Sequence, residues 1–241
     1  MDPVHNVNKR GFRDIAWIVF GLLTLSFISI FFDTDITRYR RTESLPGDLR
    51  RIIQLSEIFA HGFGIAIIVY AIWILSPHKR WYLPRLAACA IVPGIVVQCF
   101  KLVIGRYRPA HFFPEYADHV ADTWIGFVPA GQLNFEYVTQ SFPSAHAATA
   151  VGLATGLIWM FPRCRGLIIF LALLASFQRV VAGAHWSSDV FAGAAISVLV
   201  CGIIFRSQRA NDIFVKFENR SISLDHNNVE MAEFSESRKA A

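Results

Sequence analysis

The sequence has few of the patterns that mark metalloproteins, disulfide-bonded secreted proteins or nucleic-acid-binding modules. Its four cysteines show no metal-ligand spacing and no disulfide framework, so we expect them to be buried thiols. The net charge of +5 is modest, and no basic stripe with interleaved aromatic residues accompanies it, which argues against a nucleic acid partner. Charged residues make up only 17% of the chain, whereas 54% of residues are hydrophobic and 14% aromatic. This balance is rare in soluble proteins of this size.

Apolar runs recur six times along the chain, at Ile15–Phe32, Ile58–Leu75, Leu86–Phe100, Ala147–Phe161, Gly166–Phe177 and Val190–Phe205. Several are shorter than the roughly 20 residues that span a bilayer, but each can be extended through adjoining semi-polar residues. Short runs also occur as buried core helices, but six in succession favour membrane helices. We therefore predict an all-α, polytopic membrane protein with a bundle of six transmembrane helices in residues 1–206. Residues 207–241 are predicted to form a polar, mostly disordered C-terminal tail.

Basic residues predict the orientation of this bundle. Both termini and the even-numbered loops share one face, which carries ten basic residues: Lys9, Arg10, Arg13, Lys79, Arg80, Arg85, Arg163, Arg165, Arg206 and Arg209. By the positive-inside rule this face is cytoplasmic. The first loop, on the opposite face, is also basic, with five arginines: Arg38, Arg40, Arg41, Arg50 and Arg51. These arginines either contact anionic head groups or belong to a solvated loop.

Three polar segments fall on the outer face of this topology. They follow span three, open span four and connect spans five and six. Together they contain seven polar residues: Lys101, Arg108, Ser144, His146, Arg179, His185 and Asp189. Taken singly, each has an ordinary explanation, such as a snorkelling anchor, an interfacial histidine or a helix cap. Their convergence at one end of the bundle instead predicts an active site at the outer membrane face.

The residue types at this site suit a phosphate ester. A phosphate monoester carries close to two negative charges, and Lys101, Arg108 and Arg179 offer three positive ones. Arginine adds planar, bidentate donors that match phosphate oxygens. Ser144 and the backbone amides at the start of span four would add hydrogen bonds and the positive end of a helix dipole. We therefore predict that these four residues bind phosphate.

Two histidines and a carboxylate supply the groups for covalent catalysis. His185 and Asp189 are four residues apart, so on a helix they lie one turn apart on the same face. The carboxylate can then hold one ring nitrogen as N–H and present the other for attack. His146 comes from a different helix and can protonate the departing oxygen. The same three residues could instead ligate a metal ion, although the clustered cations would repel a divalent ion.

The three segments resemble the type 2 phosphatidate phosphatase (PAP2) family, whose wider superfamily includes vanadium haloperoxidases and glucose-6-phosphatase. The family pattern reads Lys-x6-Arg-Pro, then Pro-Ser-x-His, then Ser-Arg-x5-His-x3-Asp. The first two motifs are complete here, and in the third Gln178 stands in place of the usual serine before Arg179. Ala145 stands where glycine is common. The resemblance implies that His185 forms a phosphohistidine which water then hydrolyses, with no metal and no other cofactor.

The resemblance also implies a substrate, a membrane lipid bearing a phosphate monoester or a diphosphate. Candidates carried by the family are phosphatidate, phosphatidylglycerol phosphate, undecaprenyl diphosphate and lipid A 1-phosphate, and the compact chain favours a bacterial envelope lipid. We expect a bacterial inner membrane protein with cytoplasmic termini and a periplasmic active site. Two alternatives remain: a phosphotransferase that uses the same site with an acceptor other than water, and a non-enzymatic lipid-binding or transport protein. The sequence makes no prediction of oligomeric state.

Overall fold

Helices dominate the computed structural model, which describes residues 9–42, 45–112, 120–129, 132–216 and 218. The principal helices are α1 (Lys9–Ile30), α2 (Asp33–Thr42), α3 (Gly47–Leu55), α4 (Gly62–Leu75), α5 (Leu83–Val103), α6 (Ala145–Met160), α7 (Arg165–Val181) and α8 (Ser187–Arg206). Strands β1 (Ile104–Arg106) and β2 (Trp124–Phe127) form a two-stranded antiparallel ribbon. The predicted helical class is therefore confirmed. Residues 208–216 are also helical, so the predicted tail begins with a helix, and its last 23 residues, 219–241, lie outside the described part of the chain.

Helix length decides how many segments can cross a bilayer. Within the described residues, four stretches are long and apolar enough: Arg13–Ile30, Pro77–Val103, Pro162–Val181 and Ser187–Arg206. A fifth candidate, Gly47–Ala60 with Gly62–Leu75, is bent by 68°. The chain is an integral membrane protein by these helices, but the six spans predicted from the sequence are not all found.

The missing span is α6, and the caps of α4 and α6 explain why both helices are short. With 16 residues, α6 is about 24 Å long, whereas the hydrocarbon core is about 30 Å thick. Ser144 caps α6 by accepting a hydrogen bond from the amide of Ala147, and the His61 side chain caps α4 in the same way through the amide of Phe63. The 3₁₀ turn Ser56–Ala60 precedes His61, and the 3₁₀ turn Tyr137–Thr139 lies shortly before Ser144, so neither α-helix continues further towards its N-terminus.

Close backbone approach holds the centre of the bundle together. A Cβ atom added to Gly152 of α6 would lie 2.0 Å from the carbonyl oxygen of Cys89 in α5, so only glycine fits there.

Cys89 and Cys201 are buried, as predicted, but Cys99 and Cys164 are exposed, so the expectation of four buried thiols is wrong for these two. Helix surfaces with many exposed aromatic and aliphatic side chains, as on α1 and α7, are typical of helices that face lipid.

The polar segments meet at one end of this bundle through backbone hydrogen bonds between loops. The amide of Ser141, before α6, donates to the carbonyl of Arg106 in β1 at 3.1 Å. The amide of Ser144 donates to the carbonyl of Asp189 in α8 at 2.9 Å. The loop after β1 and the loop between α7 and α8 are joined in the same way, so the three segments form one connected layer.

Candidate active site

His185 lies in the loop between α7 and α8, and a glycine makes that loop possible. Gly183 has a φ of +69°, the left-handed conformation that ends many helices. The chain then turns back on itself, and the amide of His185 donates to the carbonyl of Arg179 at 3.2 Å. This turn places the imidazole inside the protein, where the side chain is 2% exposed.

The protonation of His185 follows from its neighbours. Its Nδ1 atom lies 2.8 Å from the carbonyl oxygen of Ser141, and because a carbonyl only accepts hydrogen bonds, Nδ1 must carry the proton. Burial lowers the pKa of His185 to about 3, with Lys101 and Arg108 acting in the same direction and Asp189 against them. The ring is therefore neutral near pH 7, and Nε2 is the nitrogen with a free lone pair.

Asp189 does not make the direct hydrogen bond to His185 that its spacing predicts. Its Oδ2 atom lies 3.6 Å from Nδ1, which is longer than a hydrogen bond. The carboxylate instead accepts from the Ser141 hydroxyl at 2.6 Å and from the amide of Trp186 at 2.9 Å. The second contact caps the first turn of α8 and draws the carboxylate towards the backbone. Ser141, which was not among the predicted site residues, thus contacts both members of the pair.

Arg106 is the second residue that sequence reasoning missed. It is fully buried, and its guanidinium lies 2.5 Å from Asp189 Oδ1 and 2.8 Å from Asp33 Oδ2. The rings of Trp124 and Trp186 lie 4.4 Å and 5.1 Å from the guanidinium carbon. Burial raises the pKa of Asp33, while Arg106 lowers it. Arg106 therefore fixes Asp189 and ties the start of α2 to the site.

The first-loop arginines differ in what they contact. Arg40 donates to the carbonyl of Val181 at 3.3 Å, and Arg41 donates to the carbonyl of Pro109 at 2.9 Å. These two arginines therefore bind the loops that carry the candidate catalytic residues. Arg38 and Arg51 are more than half exposed and pair with acids of their own helices, which agrees with a solvated face.

Two of the predicted phosphate-binding cations lie near His185. Lys101, in the last turn of α5, is 4% exposed, and Arg108 is 7% exposed. The Arg108 guanidinium donates to backbone carbonyls on both sides of the site, to Tyr137 at 2.8 Å and to Ala184 at 3.3 Å. Burial is the main cause that lowers the pKa of Arg108. Both cations contribute to the lowered pKa of His185, so they lie within electrostatic reach of its ring.

The third cation, Arg179, contacts a residue from the first loop. Glu57 lies in the 3₁₀ turn Ser56–Ala60 before α4, and its Oε1 atom is 2.8 Å from Arg179 Nη2. The same oxygen lies 3.8 Å from Nε2 of His146, in the first turn of α6. Gln178 completes the group, donating to Glu57 Oε2 at 3.3 Å and accepting from Arg179 Nε at 2.6 Å. Nothing in the spacing of the first loop distinguishes Glu57, which is why the sequence did not reveal it.

The structure thus brings all seven predicted residues to one end of the bundle. It adds three that were not predicted: Ser141, Arg106 and Glu57. In the part of the chain that is described, no cluster of three or more His, Cys, Asp or Glu side chains has a metal-binding arrangement. With a neutral imidazole that has a free nitrogen, and with cations and a second histidine at the same end of the bundle, the site has the groups to attack a phosphate ester and to protonate its leaving group.

Comparisons with known proteins agree with this chemistry. The model of the PAP2 superfamily matches residues 81–213, more than half of the chain. The chain is 32% identical to a lipid A 1-phosphatase of Rhizobium etli over 140 residues, covering 54% of this chain and 56% of that protein. It is 38% identical to a lipid A 4'-phosphatase of Bacteroides thetaiotaomicron over 137 residues, 52% of this chain and 55% of that protein. The chain therefore spans about half the length of these curated relatives.

Two further likenesses cover more of the chain. A decaprenylphosphoryl-5-phosphoribose phosphatase of Mycobacterium tuberculosis is 28% identical over 162 residues, 66% of this chain and 80% of that protein. The crystal structure of Aquifex aeolicus LpxE superposes with a TM-score of 0.50 at 23% identity, covering 72% of this chain and 93% of that one. At this level of identity the structural likeness concerns the fold alone.

Proposed function

The chain belongs to the PAP2 superfamily, and we propose that it is a membrane lipid phosphatase acting through a phosphohistidine on His185. The observation that carries this proposal is the 2.8 Å contact from Nδ1 to the Ser141 carbonyl, because it leaves Nε2 unprotonated and available for attack. The relatives' names support a phosphorylated lipid as substrate. Lys101, Arg108, Ser144 and Arg179 bind the phosphate in this proposal.

In the first step, Nε2 of His185 attacks phosphorus in line with the leaving lipid oxygen. His146 donates a proton to that oxygen as the phosphorus–oxygen bond breaks. The imidazole becomes positively charged as the new nitrogen–phosphorus bond forms. The carboxylate of Asp189, 3.6 Å from Nδ1, stabilises that charge, while the surrounding cations stabilise the equatorial phosphate oxygens.

In the second step, water attacks the phosphohistidine. His146, now neutral, accepts a proton from that water, and the nitrogen–phosphorus bond breaks to release inorganic phosphate. His185 returns to the neutral form with its proton on Nδ1. The reaction consumes one water and needs no metal, because Lys101, Arg108 and Arg179 supply the positive charge that a metal would otherwise provide.

A lipid A phosphate is the substrate that the relatives favour, although they differ in the position from which phosphate is removed. In this proposal the protein lies in a bacterial inner membrane with its termini in the cytoplasm and the site facing the periplasm. The basic residues on the opposite face support this orientation. A substrate whose acyl chains remain in the bilayer would present its phosphate at this level.

Phosphate release by the purified protein in detergent tests the proposal. The panel contains lipid A, phosphatidate, phosphatidylglycerol phosphate and undecaprenyl diphosphate, with and without excess EDTA. We expect release from at least one lipid, no effect of EDTA and inhibition by vanadate, which adopts the five-coordinate geometry of the displacement. His185→Ala should lose activity by about a thousandfold or more. Loss of activity in EDTA that one divalent ion restores would contradict the mechanism, and product phosphorylated on an acceptor would indicate a phosphotransferase.

A further inference from the structure

Gln178 is the position at which the third motif departs from the family pattern, and it contacts Glu57. We propose that Glu57 and Gln178 form a positioning pair that holds Arg179 for phosphate binding, and that Glu57 favours the protonated form of His146, which acts as the acid. Nothing in the motif assigns a role to either residue. The inference rests on the proposed function, because it names the groups that prepare two of its residues for reaction.

The reach of Gln178 explains why glutamine suits this position. Its side chain is 3% exposed, so both ends of the amide need partners inside the protein. The amide oxygen accepts from Arg179 Nε at 2.6 Å, and the amide nitrogen donates to Glu57 Oε2 at 3.3 Å. A serine side chain has a single hydroxyl group and is two atoms shorter, so it cannot join both partners. Gln178 thus links the anion and the cation.

The pair restrains Arg179 without using all of its donors. A guanidinium has five N–H groups. Gln178 accepts from Nε, and Glu57 Oε1 lies 2.8 Å from Nη2, which leaves other N–H groups for phosphate oxygens. A long side chain loses conformational entropy when it binds. Holding Arg179 in advance reduces that cost, so we expect the pair to lower KM as well as to act on His146.

Charge gives Glu57 its second role. The cations that act on His146 are Arg179 on α7 and Lys101 on α5, and the side chain of His61, before α4, also faces it. The pKa of His146 is lowered to about 4, mainly by burial and also by Arg179 and Lys101, whereas Glu57 acts in the opposite direction and raises it. The carboxylate therefore favours the imidazolium that the first step requires.

The size of this effect follows from distance and exposure. The side chains of His146 and Glu57 are 32% and 39% exposed, and their nearest charged atoms are 3.8 Å apart. Charges at such a separation near a water-exposed surface interact weakly. We therefore expect the charge of Glu57 to raise the pKa of His146 by about one unit. Removing the charge of Glu57 should shift the titration of His146 down by about that amount.

A direct titration tests this role without any need for turnover. The protein, labelled with ¹⁵N-histidine in detergent, is titrated by NMR as wild type and as Glu57→Gln, with His146→Asn used to assign the signal. We expect the pKa of His146 to fall by about one unit in Glu57→Gln. Asp48→Asn is the matched control, because it removes the same charge from the same loop at a side chain that is 96% exposed. An unchanged His146 titration in Glu57→Gln would overturn the charge role even if the protein proves not to be a lipid phosphatase.

The kinetic arm uses pH profiles on two substrates. On a lipid alkyl phosphate, kcat should fall as the pH rises, and we call this fall the alkaline limb of the profile. The limb should begin about one pH unit lower in Glu57→Gln than in wild type. On p-nitrophenyl phosphate, whose leaving group hardly needs a proton, this limb should stay in place. Gln178→Ser should raise KM for both substrates with little change in the limb. Equal losses of kcat on both substrates without a shift of the limb would mean that Glu57 is only structural.

Discussion

The carbonyl oxygen of Ser141 lies nearer to Nδ1 of His185, at 2.8 Å, than the Asp189 carboxylate does, at 3.6 Å. A backbone carbonyl cannot be removed by a side-chain substitution, and it accepts a hydrogen bond in any protonation state of its surroundings. The tautomer of His185 is therefore set by the backbone of the loop before α6. Asp189 is left with the stabilisation of charge and the anchoring of that loop.

The first prediction concerns Asp189→Asn. In serine protease triads the same change costs about 10⁴-fold in kcat because the histidine takes the wrong tautomer. Here the Ser141 carbonyl preserves the tautomer, so we expect a loss of only about 10- to 100-fold, measured as kcat on the preferred lipid phosphate. Ser141→Ala, which keeps the carbonyl and removes the hydroxyl, should lose less than Asp189→Asn. An Asp189→Asn variant as inactive as His185→Ala would show that the carboxylate sets the tautomer.

The second prediction separates the two histidines by their leaving-group dependence. A lipid alkoxide is a strong base and needs a proton as it leaves, whereas nitrophenolate is far weaker and hardly does. His146→Ala should therefore lose about 10²–10⁴-fold on a lipid alkyl phosphate and much less on p-nitrophenyl phosphate. His185→Ala should be inactive on both. Equal losses for His146→Ala on the two substrates, or a phosphoenzyme trapped on His146, would reverse the assignment.

The third prediction concerns the stability of the buried network around Arg106. Arg106→Met leaves the carboxylates of Asp33 and Asp189 buried without their cation, which typically costs about 3–5 kcal/mol. We expect a clear drop in the unfolding temperature in detergent, partly recovered when Asp33→Asn is added. Arg51→Met is the control, because its ion pair is exposed and worth less than about 1 kcal/mol. Equal unfolding temperatures for the two variants would contradict a central role for Arg106.

The fourth prediction concerns stability against pH. Because the pKa of His185 is about 3 in the folded protein, below its ordinary value, the unfolded chain binds a proton first as the pH falls below about 6.5. Stability should therefore decline between roughly pH 6.5 and pH 3, by up to about 1.4 kcal/mol per pH unit from this residue. His185→Gln should show a shallower decline in unfolding temperature, since it removes one of the two histidines whose pKa is lowered in the described part of the chain. Parallel curves for the two proteins would show that His185 is protonated in the folded state.

The sequence predicted the chemical groups of the site better than their contacts. The fixed spacing of the motifs identified His146, His185 and the three cations. The alternation of loops between the two membrane faces placed them at one end of the bundle. Arg106 lies within the first motif segment, but the sequence does not distinguish it, because its burial between two carboxylates arises only from the tertiary structure. Glu57 was hidden for a similar reason, since only the fold of the 3₁₀ turn before α4 brings it to Arg179.

The prediction of six transmembrane spans failed because of local features at the N-termini of two helices. Hydropathy reports how apolar a run is but not where its helix begins. The His61 cap starts α4 four residues after its apolar run begins at Ile58, whereas the Ser144 cap prevents α6 from extending beyond its short apolar run into the preceding residues. Two residues that precede these helices, Glu57 before α4 and Ser141 before α6, contact residues of the site.

The buried guanidinium of Arg106 also imposes an order on biosynthesis. Asp33 precedes it by 73 residues, and Asp189 follows it by 83. At a translation rate of about 5–20 residues per second, Asp189 is synthesised several seconds after Arg106. During that interval the carboxylate partner of Arg106 in this network is Asp33, from the first loop. Nascent chains stalled before α8 should therefore hold this arginine in an open, protease-sensitive form, and emergence of the last helix should close it.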